Sequence, residues 1–522
     1  MNQPADLSSA DQGQGVLFQR AVILGTCTLV TILYAMTVTI ANVSLPQMQG
    51  ALSATQDQIT WVVTFNIVAT AVATPLSGWL VGRFGRRRLL IYAISGFAVA
   101  SLACGLANSL GTLIFFRVLQ GVFGAPLAPV CQAIVQSTFP RHMYAKAMAF
   151  FGMGVIIGPI IGPVAGGYLS EAYSWRWVFF MIVPFTLMAL MAVLAFIRDT
   201  STRTTVRFDW TGFLALSVAV TCLQITLDRG QRADWFDSYE IIILTCLAVG
   251  ALYIFVAHVA TTDRPFLRPA LFKDRNFVIG VTLMFIFGLL NFTPITLLPT
   301  LLQNLRGYPD SVIGYVLAIR GLGTLAGFFF MIVGSRLDPR LMVTAGFATQ
   351  GISGWYMAQS DLNVMLEDLF WPMIVQGFGV GLLWPSITAI TFSTLNHKYL
   401  DEGTALYHLI RNMASSIYIS ISVAVIMRTS SQRYAEMTDR VSPFNQNLDL
   451  PWASRGWSAT TTEGLSHLGS EIGRQAAMIG YINSFYMFSI TAFAFIPLVL
   501  LIRWKKENGL PAAKEDEENV HD

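Results

Sequence analysis

The sequence predicts an all-α protein that crosses a membrane many times. Hydrophobic residues make up 54% of the 522 residues, and the mean hydropathy is +0.57. Charged residues make up only 12%, whereas a soluble domain carries about 25%. Apolar runs also recur along the whole chain, and a helix needs about 20 apolar residues to cross the hydrocarbon core. These three observations predict a polytopic membrane protein surrounded by lipid.

Fourteen apolar runs are predicted to span the membrane. They cover residues 21–45, 57–80, 89–108, 111–137, 144–168, 176–197, 209–228, 239–259, 277–303, 311–333, 341–358, 369–395, 404–428 and 478–503. The first run is too long for a signal peptide, and no small-residue cleavage site follows it, so we expect it to remain as the first span.

The distribution of basic residues predicts the orientation. Of the 33 Lys and Arg residues, 21 fall on the side of the N-terminus, nine on the opposite side and three inside spans. Because positively charged loops stay inside, both termini are expected in the cytoplasm.

The chain is also predicted to contain two halves. A basic hairpin after the second span, Gly78–Arg87, has a degraded echo after the tenth, Gly334–Arg340. Parallel halves of this kind are how many secondary transporters build a site near the membrane midplane. The predicted parts are an N-terminal tail (1–20), an N-terminal six-helix bundle (21–197), two inserted helices with their loops (198–276), a C-terminal six-helix bundle (277–504) with an outer loop (429–477), and an acidic cytoplasmic tail (505–522), whose composition is typical of disorder.

Composition and motifs argue against several other classes of protein. The net charge of +3 is small and the basic residues are scattered, so nucleic-acid binding is not expected. The five cysteines lie in apolar runs and the six histidines are dispersed, without ligand spacing, so no metal site or disulfide framework is predicted. No phosphate-binding loop or catalytic serine elbow is present, so neither an ATP-driven pump, a bound cofactor nor an enzyme is expected.

The basic hairpin has an ordered spacing of glycine and arginine. Gly78, Gly82 and Gly85 permit a tight turn and a close approach of helix ends, and Arg83 and Arg86 are able to cap helices or bind anionic headgroups. With Asp338 of the echo, these residues are candidates for a gate that changes with conformation. A simple topology signal is the alternative.

A polar stripe runs along the fourth span. Arg117, Gln120, Gly121 and Gly124 recur with Ala128, Cys131 and Gln132 at helical spacing. Ionisable residues inside a span are usually functional, so we expect this stripe to be buried and to take part in coupling. The alternative is that Arg117 extends toward the outer surface.

The fifth span carries glycine at every fourth position. The segment contains Gly154, Gly158, Pro159, Gly162, Pro163, Gly166 and Gly167. Glycines on one face allow helices to pack closely, and the prolines remove backbone hydrogen bonds. Packing alone explains this pattern, and a sliding or leak-sealing seam is the sharper alternative.

Together these three segments resemble the signature motifs of the major facilitator superfamily. The fourteen spans, with Asn42-Val43-Ser44-Leu45-Pro46, Leu227-Asp228-Arg229-Gly230 and Leu271-Phe272-Lys273-Asp274-Arg275, look like the EmrB-like exporters of its drug:proton antiporter-2 branch. The resemblance implies a 6 + 2 + 6 major facilitator fold and proton-driven efflux of hydrophobic compounds across a bacterial inner membrane. It also implies two partners in Gram-negative bacteria, a periplasmic membrane-fusion adaptor and an outer-membrane channel. We expect an adaptor to dock on the long outer loop 429–477.

Two positions depart from the family pattern. The first-span acid falls on Thr37, and the acid of the basic hairpin falls on Gly82. Thr37 shares a face with Tyr34, so it is able to line a cavity, but a hydroxyl does not carry a proton at physiological pH. The position of the proton-coupling group is therefore open.

The charge balance suggests the substrate. Between residues 12 and 170 the chain has one carboxylate, Asp57, and the spans contain three arginines. Because an isolated buried charge is costly, we expect a shared central cavity of positive potential that prefers anionic or weakly acidic amphipathic substrates. Its expected lining is Tyr34, Thr37, Asn42, Arg117, Gln120, Gln132, Asn291, Arg320, Gln376, Tyr407, His408, Arg411 and Asn412.

Three alternatives to export stay open. An importer on the same fold differs only in the direction of transport, and a sensor or scaffold would bind without flux. A membrane-embedded lipid-modifying enzyme would need a cluster of reactive groups at a span end.

The proton-coupling group has one candidate among the histidines. Because a histidine titrates near neutral pH, His408 is a hypothesis for the proton site.

Overall fold

A computed structural model gives an all-helical architecture. It describes residues 7–198, 208–262, 265–334, 337–441, 457 and 461–501, and within these ranges no residue lies in a β-strand. The helices are α1 (Leu7–Val43), α2 (Leu45–Ala51), α3 (Gln56–Ala73), α4 (Leu76–Phe84), α5 (Arg86–Gly105), α6 (Leu110–Gly124), α7 (Leu127–Thr138), α8 (Tyr144–Ala172), α9 (Trp177–Phe180), α10 (Ile182–Phe196), α11 (Trp210–Arg229), α12 (Tyr239–Thr261), α13 (Arg275–Asn291), α14 (Thr293–Arg306), α15 (Asp310–Val333), α16 (Pro339–Met357), α17 (Leu366–Phe392), α18 (Leu400–Thr438) and α19 (Thr462–Ala494).

Each of the fourteen predicted runs coincides with a helix or a pair of consecutive helices. Prolines accompany three of the breaks, because proline cannot donate the backbone hydrogen bond that would continue the helix: Pro75 after α3, Pro126 after α6 and Pro294 at the start of α14. Within the described ranges, eleven segments are long and apolar enough to cross a membrane, or twelve if the pair α3 and α4, bent by 56°, forms one span. The remaining predicted spans are α8 and α16.

The two six-helix bundles repeat the same set of helix contacts. In the N-terminal bundle α1 packs on α8, α3 and α5 pack on α6, and α5 packs on α10. In the C-terminal bundle the helices at the same places in the order pair likewise: α13 with α18, α15 and α16 with α17, and α16 with α19. The duplication that the hairpin echo predicts is therefore present in the packing.

The inserted pair α11 and α12 lies against both bundles. Thr64 Oγ1 on α3 donates to Asp228 Oδ2 at the end of α11, at 2.6 Å. Ser420 Oγ on α18 donates to the neighbouring carbonyl of Leu227, at 3.0 Å. Val220 of α11 packs with Ala71 of α3 and Leu409 of α18. The inserted helices therefore cover a seam between the halves.

Two predicted boundaries need correction. Helix α18 continues to Thr438 and α19 begins at Thr462, so both ends of the predicted outer loop 429–477 are helical. Helix α1 begins at Leu7, so most of the predicted tail 1–20 is also helical. Residues 442–456 of the outer loop and the acidic tail 505–522 lie outside the described residues.

The molecule has two ends, which we name by their connections. The hairpin end carries residues 78–88, 138–146 and 395–402, and the loop end carries the connection between α18 and α19. The contacts between the bundles are described by the end at which they lie.

Candidate transport site

The basic hairpin joins the two bundles at the hairpin end. Gly85 connects α4 to α5 with a φ of 84°, a conformation that favours glycine. The next residue, Arg86, binds Asp401 of α18 with both ends of its guanidinium: Nε donates to Oδ1 at 2.8 Å and Nη2 to Oδ2 at 3.1 Å. Such bidentate pairs are strong and directional. The predicted gating arginine therefore links the halves through an acid that the sequence analysis missed.

Close packing accompanies this ion pair. A Cβ atom at Gly78 would lie 2.9 Å from Cγ and 3.0 Å from Cα of Glu402, so only glycine lets α4 approach α18 this closely. Glu402 in turn pairs with Arg268 of the linker after α12, at 3.3 Å. The linker of the inserted helices therefore takes part in the contact at the hairpin end.

Two further contacts close the hairpin end. Arg141 donates to the carbonyl of Leu395 at 3.1 Å. The rings of Phe151 on α8 and Trp384 on α17 stack with centroids 5.9 Å apart. Polar and aromatic contacts between the bundles therefore lie at the same end of the molecule.

The other members of the predicted gate act locally. Arg83 is exposed and lies over the ring of Trp79, 5.6 Å from its centroid. Gly82, where the family has an acid, is half-buried. Asp338 of the echo caps its own helix α16 by accepting from the backbone N–H of Arg340 at 2.9 Å.

Arg117 lies inside the N-terminal bundle and is 1% exposed. Its Nη1 donates to Gln120 Oε1 at 2.7 Å and its Nε donates to the Val62 carbonyl at 3.2 Å. Gln120 passes the network on by donating to Ser101 Oγ at 2.7 Å. Because the guanidinium is fully buried among partners from its own bundle, the alternative that it extends to the surface is wrong.

Arg320 lies inside the C-terminal bundle. Its Nε donates to Gln376 Oε1, and its Nη2 donates to the Oδ1 and the carbonyl of Asn291, at 2.9 and 3.1 Å. Gln376 also exchanges hydrogen bonds with Gln350 of α16. The partners of Arg320 therefore come from α17 and from the end of α13, where that helix breaks before α14.

Arg411 occupies a third environment, between the bundles. Its Nη2 donates to the neighbouring Asn412 Oδ1 at 3.1 Å. Its charge interacts with the hydroxyls of Tyr34 on α1 and Tyr407 on its own helix. Tyr34 itself bonds Thr70 of α3, so the half-buried Arg411 faces the N-terminal bundle across the interface.

The expectation of one cavity bounded by three arginines therefore needs correction. The three guanidiniums share no partner, because two are enclosed by their own bundles and one lies at the interface. Within the described residues, none of the three has a carboxylate partner. The periodicity that identified them gives a helix face but not the neighbour of that face.

The remaining predicted cavity residues divide in the same way. Gln132 Oε1 accepts from His408 Nε2 across the interface, at 2.7 Å. Tyr407 bonds Thr388 within the C-terminal bundle at 2.8 Å, and the buried Thr37 donates to the Leu33 carbonyl of its own helix at 2.8 Å. The side chain of Asn42 lies outside the described residues.

The glycine seam of α8 packs against α1 of the same bundle. A Cβ atom would lie 2.6 Å from the Ile32 carbonyl if placed at Gly158 and 2.6 Å from Ile40 Cγ1 if placed at Gly166. At Gly154 it would overlap the methyl group of Thr28. Close packing of α8 on α1 accounts for the glycines at these three positions. The side chain of Pro163 lies outside the described residues.

Several residues of the site were missed by sequence reasoning. They are Asn66, Ser101, Gln350, Asp401 and Glu402. One signal was present, because the dipeptide Gln120-Gly121 of the fourth span recurs as Gln376-Gly377 in the twelfth. Asp401 gave no such signal, since its partner Arg86 is 315 residues away.

A small cleft lies apart from the three arginines. It is formed by α4, α11, α12, α18 and the linker, and is lined by Pro75, Trp79, Leu216, Phe255, Phe266, Leu267, Glu402, Ala405, Leu406 and Leu409. It therefore borders the seam that the inserted helices cover.

Comparison with known proteins fits this duplicated helical architecture. Residues 27–419 match the family described as "Major Facilitator Superfamily". The chain belongs to the major facilitator superfamily. It is 35% identical over 494 residues to the multidrug export protein EmrB of Escherichia coli (strain K12), covering 94% of this chain and 96% of that one. It is 31% identical to the fatty acid resistance protein FarB of Neisseria gonorrhoeae, covering 89% of this chain and 92% of that one.

Solved structures of this superfamily share the fold. The human organic anion transporter MFSD10 (TETRAN) matches with a TM-score of 0.59 and 13% identity, covering 91% of this chain and 99% of that one. The proton:xylose symporter XylE matches with a TM-score of 0.58 and 12% identity, covering 93% and 99%. The chain is thus an EmrB-like, multi-pass membrane transporter of the major facilitator superfamily.

Proposed function

We propose that this protein exports amphipathic compounds, preferably anionic or weakly acidic ones, across a bacterial inner membrane in exchange for protons. The extensive identity to EmrB, a multidrug export protein, supports export. The likeness to FarB, a fatty acid resistance protein, supports an amphipathic anion as substrate. The proton gradient would supply the energy.

The observation that carries the substrate preference is the environment of Arg411. This guanidinium lies at the interface of the bundles and is half-buried, and its described partners are an amide oxygen and tyrosine hydroxyls. A desolvated cation without a carboxylate gains most from an anionic ligand. Apolar residues dominate the surrounding helices, which suits a substrate with a hydrophobic tail.

The contacts at the hairpin end support alternating access. By the positive-inside rule, we assign the hairpin end to the cytoplasm. The ion pair Arg86–Asp401 and the stacked rings of Phe151 and Trp384 then close the cytoplasmic side. This arrangement corresponds to a state that exchanges substrate with the periplasm. Breaking these contacts would open the cytoplasmic side.

The test of this function is transport in proteoliposomes that contain the purified protein. Wild type is expected to exchange a radiolabelled long-chain fatty acid between the two sides of the vesicle. Arg411→Gln is expected to abolish this exchange, and Arg411→Lys, which keeps the charge but not the planar fork, to retain part of it. Arg198→Gln, at an exposed arginine just after α10, is the matched control.

Two outcomes would contradict the proposal. Unchanged fatty acid exchange by Arg411→Gln would show that Arg411 does not bind the anionic substrate. Faster transport of a lipophilic cation than of the fatty acid by the wild type would contradict the proposed preference for anions.

We also propose that the helical extension at the loop end binds a periplasmic membrane-fusion adaptor, which connects to an outer-membrane channel. Helix α18 has 39 residues, or about 58 Å at 1.5 Å per residue, whereas the hydrocarbon core is about 30 Å thick. The extensions of α18 and α19 approach each other, since a Cβ atom at Gly469 would lie 3.6 Å from the Tyr434 hydroxyl.

Photo-crosslinking tests this docking site. A photoreactive residue at the exposed Glu436 is expected to crosslink a co-expressed adaptor, whereas one at Tyr239 of α12, exposed at the same end, is the control. Equal crosslinking at both positions, or at neither, would contradict the assignment.

A further inference from the structure

One hydrogen bond between the bundles connects two buried side chains. His408 Nε2 on α18 lies 2.7 Å from Gln132 Oε1 on α7, and these residues are 4% and 0% exposed. An amide oxygen only accepts, so Nε2 carries a hydrogen and donates it. This tautomer leaves Nδ1 without a proton when the imidazole is neutral.

The bond lies in a group of unpartnered polar atoms. Among the described residues, His408 Nδ1, Gln132 Nε2 and both side-chain polar atoms of Gln136 are buried and have no hydrogen-bond partner. Gln132 and Gln136 are four residues apart and share a face of α7. Because each unsatisfied buried group costs about 1–3 kcal/mol, this arrangement stays closed only through the other contacts at the hairpin end.

The groups that face His408 determine what protonation would do. Arg411, one turn further along α18, acts on it electrostatically, and the ring of Tyr407 lies edge-on with centroids 6.0 Å apart. From α7 it faces the neutral amide of Gln132, and from α1 the hydroxyl of Tyr34 approaches the adjoining Arg411. No carboxylate is among these neighbours to balance a second positive charge.

We propose that His408 takes the proton that drives this transporter from the state closed at the hairpin end to the state open at that end. The proton adds to Nδ1 and converts the neutral imidazole to imidazolium. The new N–H has no acceptor in the closed state and the new charge lies beside Arg411, so both effects favour separation of α7 from α18. Water at the opened end then solvates His408, Gln132 and Gln136 and accepts the proton on the cytoplasmic side.

This inference rests on the proposed antiport and supplies the group missing at Thr37. The direction of proton movement is consistent with antiport, because a proton that enters from the periplasmic side opens the cytoplasmic side and leaves there. Anionic substrate bound near Arg411 would oppose the opening by reducing the positive charge, so substrate and proton act in opposite senses.

The experiment compares two transport modes in proteoliposomes. In counterflow, labelled fatty acid exchanges without a pH gradient; in driven uptake, the imposed gradient does the work. His408→Gln, which keeps a neutral hydrogen-bonding side chain, is expected to retain counterflow and to reduce driven uptake by at least about fivefold, the lower range of coupling energies between sites. His142→Gln, at an exposed histidine of the same end, is expected to match wild type in both.

A proton count on purified protein gives a second readout. A pH dye is expected to detect release of up to about one proton per substrate bound by wild type and His142→Gln, and none by His408→Gln. Driven uptake or proton release by His408→Gln at wild-type level would overturn the inference, as would loss of substrate binding, which would make His408 part of the binding site. Absence of counterflow in wild type would instead refute the proposed function.

Discussion

The two bundles hold a buried arginine against the same dipeptide but supply it from different helices. Gln120-Gly121 of the N-terminal bundle receives Arg117, which lies one turn earlier in the same span. Gln376-Gly377 of the C-terminal bundle receives Arg320, which lies on a neighbouring helix. Each network then continues to a neighbouring helix, through Ser101 of α5 in one bundle and Gln350 of α16 in the other.

The glycines show which positions correspond. A Cβ at Gly121 would lie 2.6 Å from the Asn66 carbonyl, and a Cβ at Gly377 would overlap the Arg320 carbonyl. Thr70 and Thr324, each four residues further on, donate to these same two carbonyls. Asn66 and Arg320 are therefore equivalent positions, and the two bundles keep the buried guanidinium–amide bond rather than the position of the arginine.

The largest expected effect is loss of stability when Arg117 is removed. Arg117→Met leaves the buried Oε1 of Gln120 unsatisfied, at about 1–3 kcal/mol, and removes the additional bond to the Val62 carbonyl. Arg320→Met should cost less, because one of its two acceptor residues, Asn291, is half-buried and water is able to replace the lost donor there. Thermal unfolding in detergent measures both, with Arg83→Met as the exposed control.

Reversal of this order would contradict the comparison. If Arg320→Met unfolded at a lower temperature than Arg117→Met, the arginine with a half-buried acceptor would be the more important one, and burial of the acceptors would not explain the difference between the bundles.

A relocated arginine should partly restore the N-terminal bundle. In the double variant Asn66→Arg/Arg117→Met, the guanidinium occupies the position that Arg320 has in the other bundle. We expect the double variant to be more stable than Arg117→Met by about 1 kcal/mol, as a coupling energy between contacting positions. Unfolding of the four members of the cycle measures it, and a double variant less stable than the single one would show that the positions are not interchangeable.

The sequence predicted much of this comparison but not its central feature. Run length and hydropathy located the helices, because the hydrocarbon core sets a length that composition reveals. Helical spacing placed Arg117 and Gln120 on one face. It did not reveal that Arg320 bonds Gln376, because that contact depends on how α15 packs on α17, and spacing within one helix contains no information about the partner helix.

The hairpins of the two bundles provide the next prediction. Arg86 of the first hairpin reaches Asp401 of the opposite bundle, whereas Asp338 of the echo caps its own helix. Asp401→Asn should therefore favour opening of the hairpin end by about 1–2 kcal/mol, roughly 5- to 30-fold in the open fraction. Asp338→Asn should leave opening unchanged, because asparagine is also a good N-cap.

Maleimide labelling of a cysteine introduced in place of the buried Gln136 on α7 reports this opening, in a protein whose five native cysteines are replaced by serine. Labelling should accelerate in Asp401→Asn. Equal acceleration by Asp338→Asn would indicate that the echo hairpin also holds the bundles together.

The smallest expected effect separates the equivalent threonines Thr70 and Thr324. Valine has nearly the same shape as threonine, so each Thr→Val substitution removes one hydroxyl and should cost a similar 0.5–1.5 kcal/mol, about the net value of a hydrogen bond. Thr70 also bonds Tyr34, which approaches Arg411, whereas the described bond of Thr324 stays within its own helix. Fatty acid counterflow should therefore fall in Thr70→Val and persist in Thr324→Val. Equal transport by the two variants would mean that Tyr34 is positioned without Thr70, and that the interface at Arg411 depends on the C-terminal bundle alone.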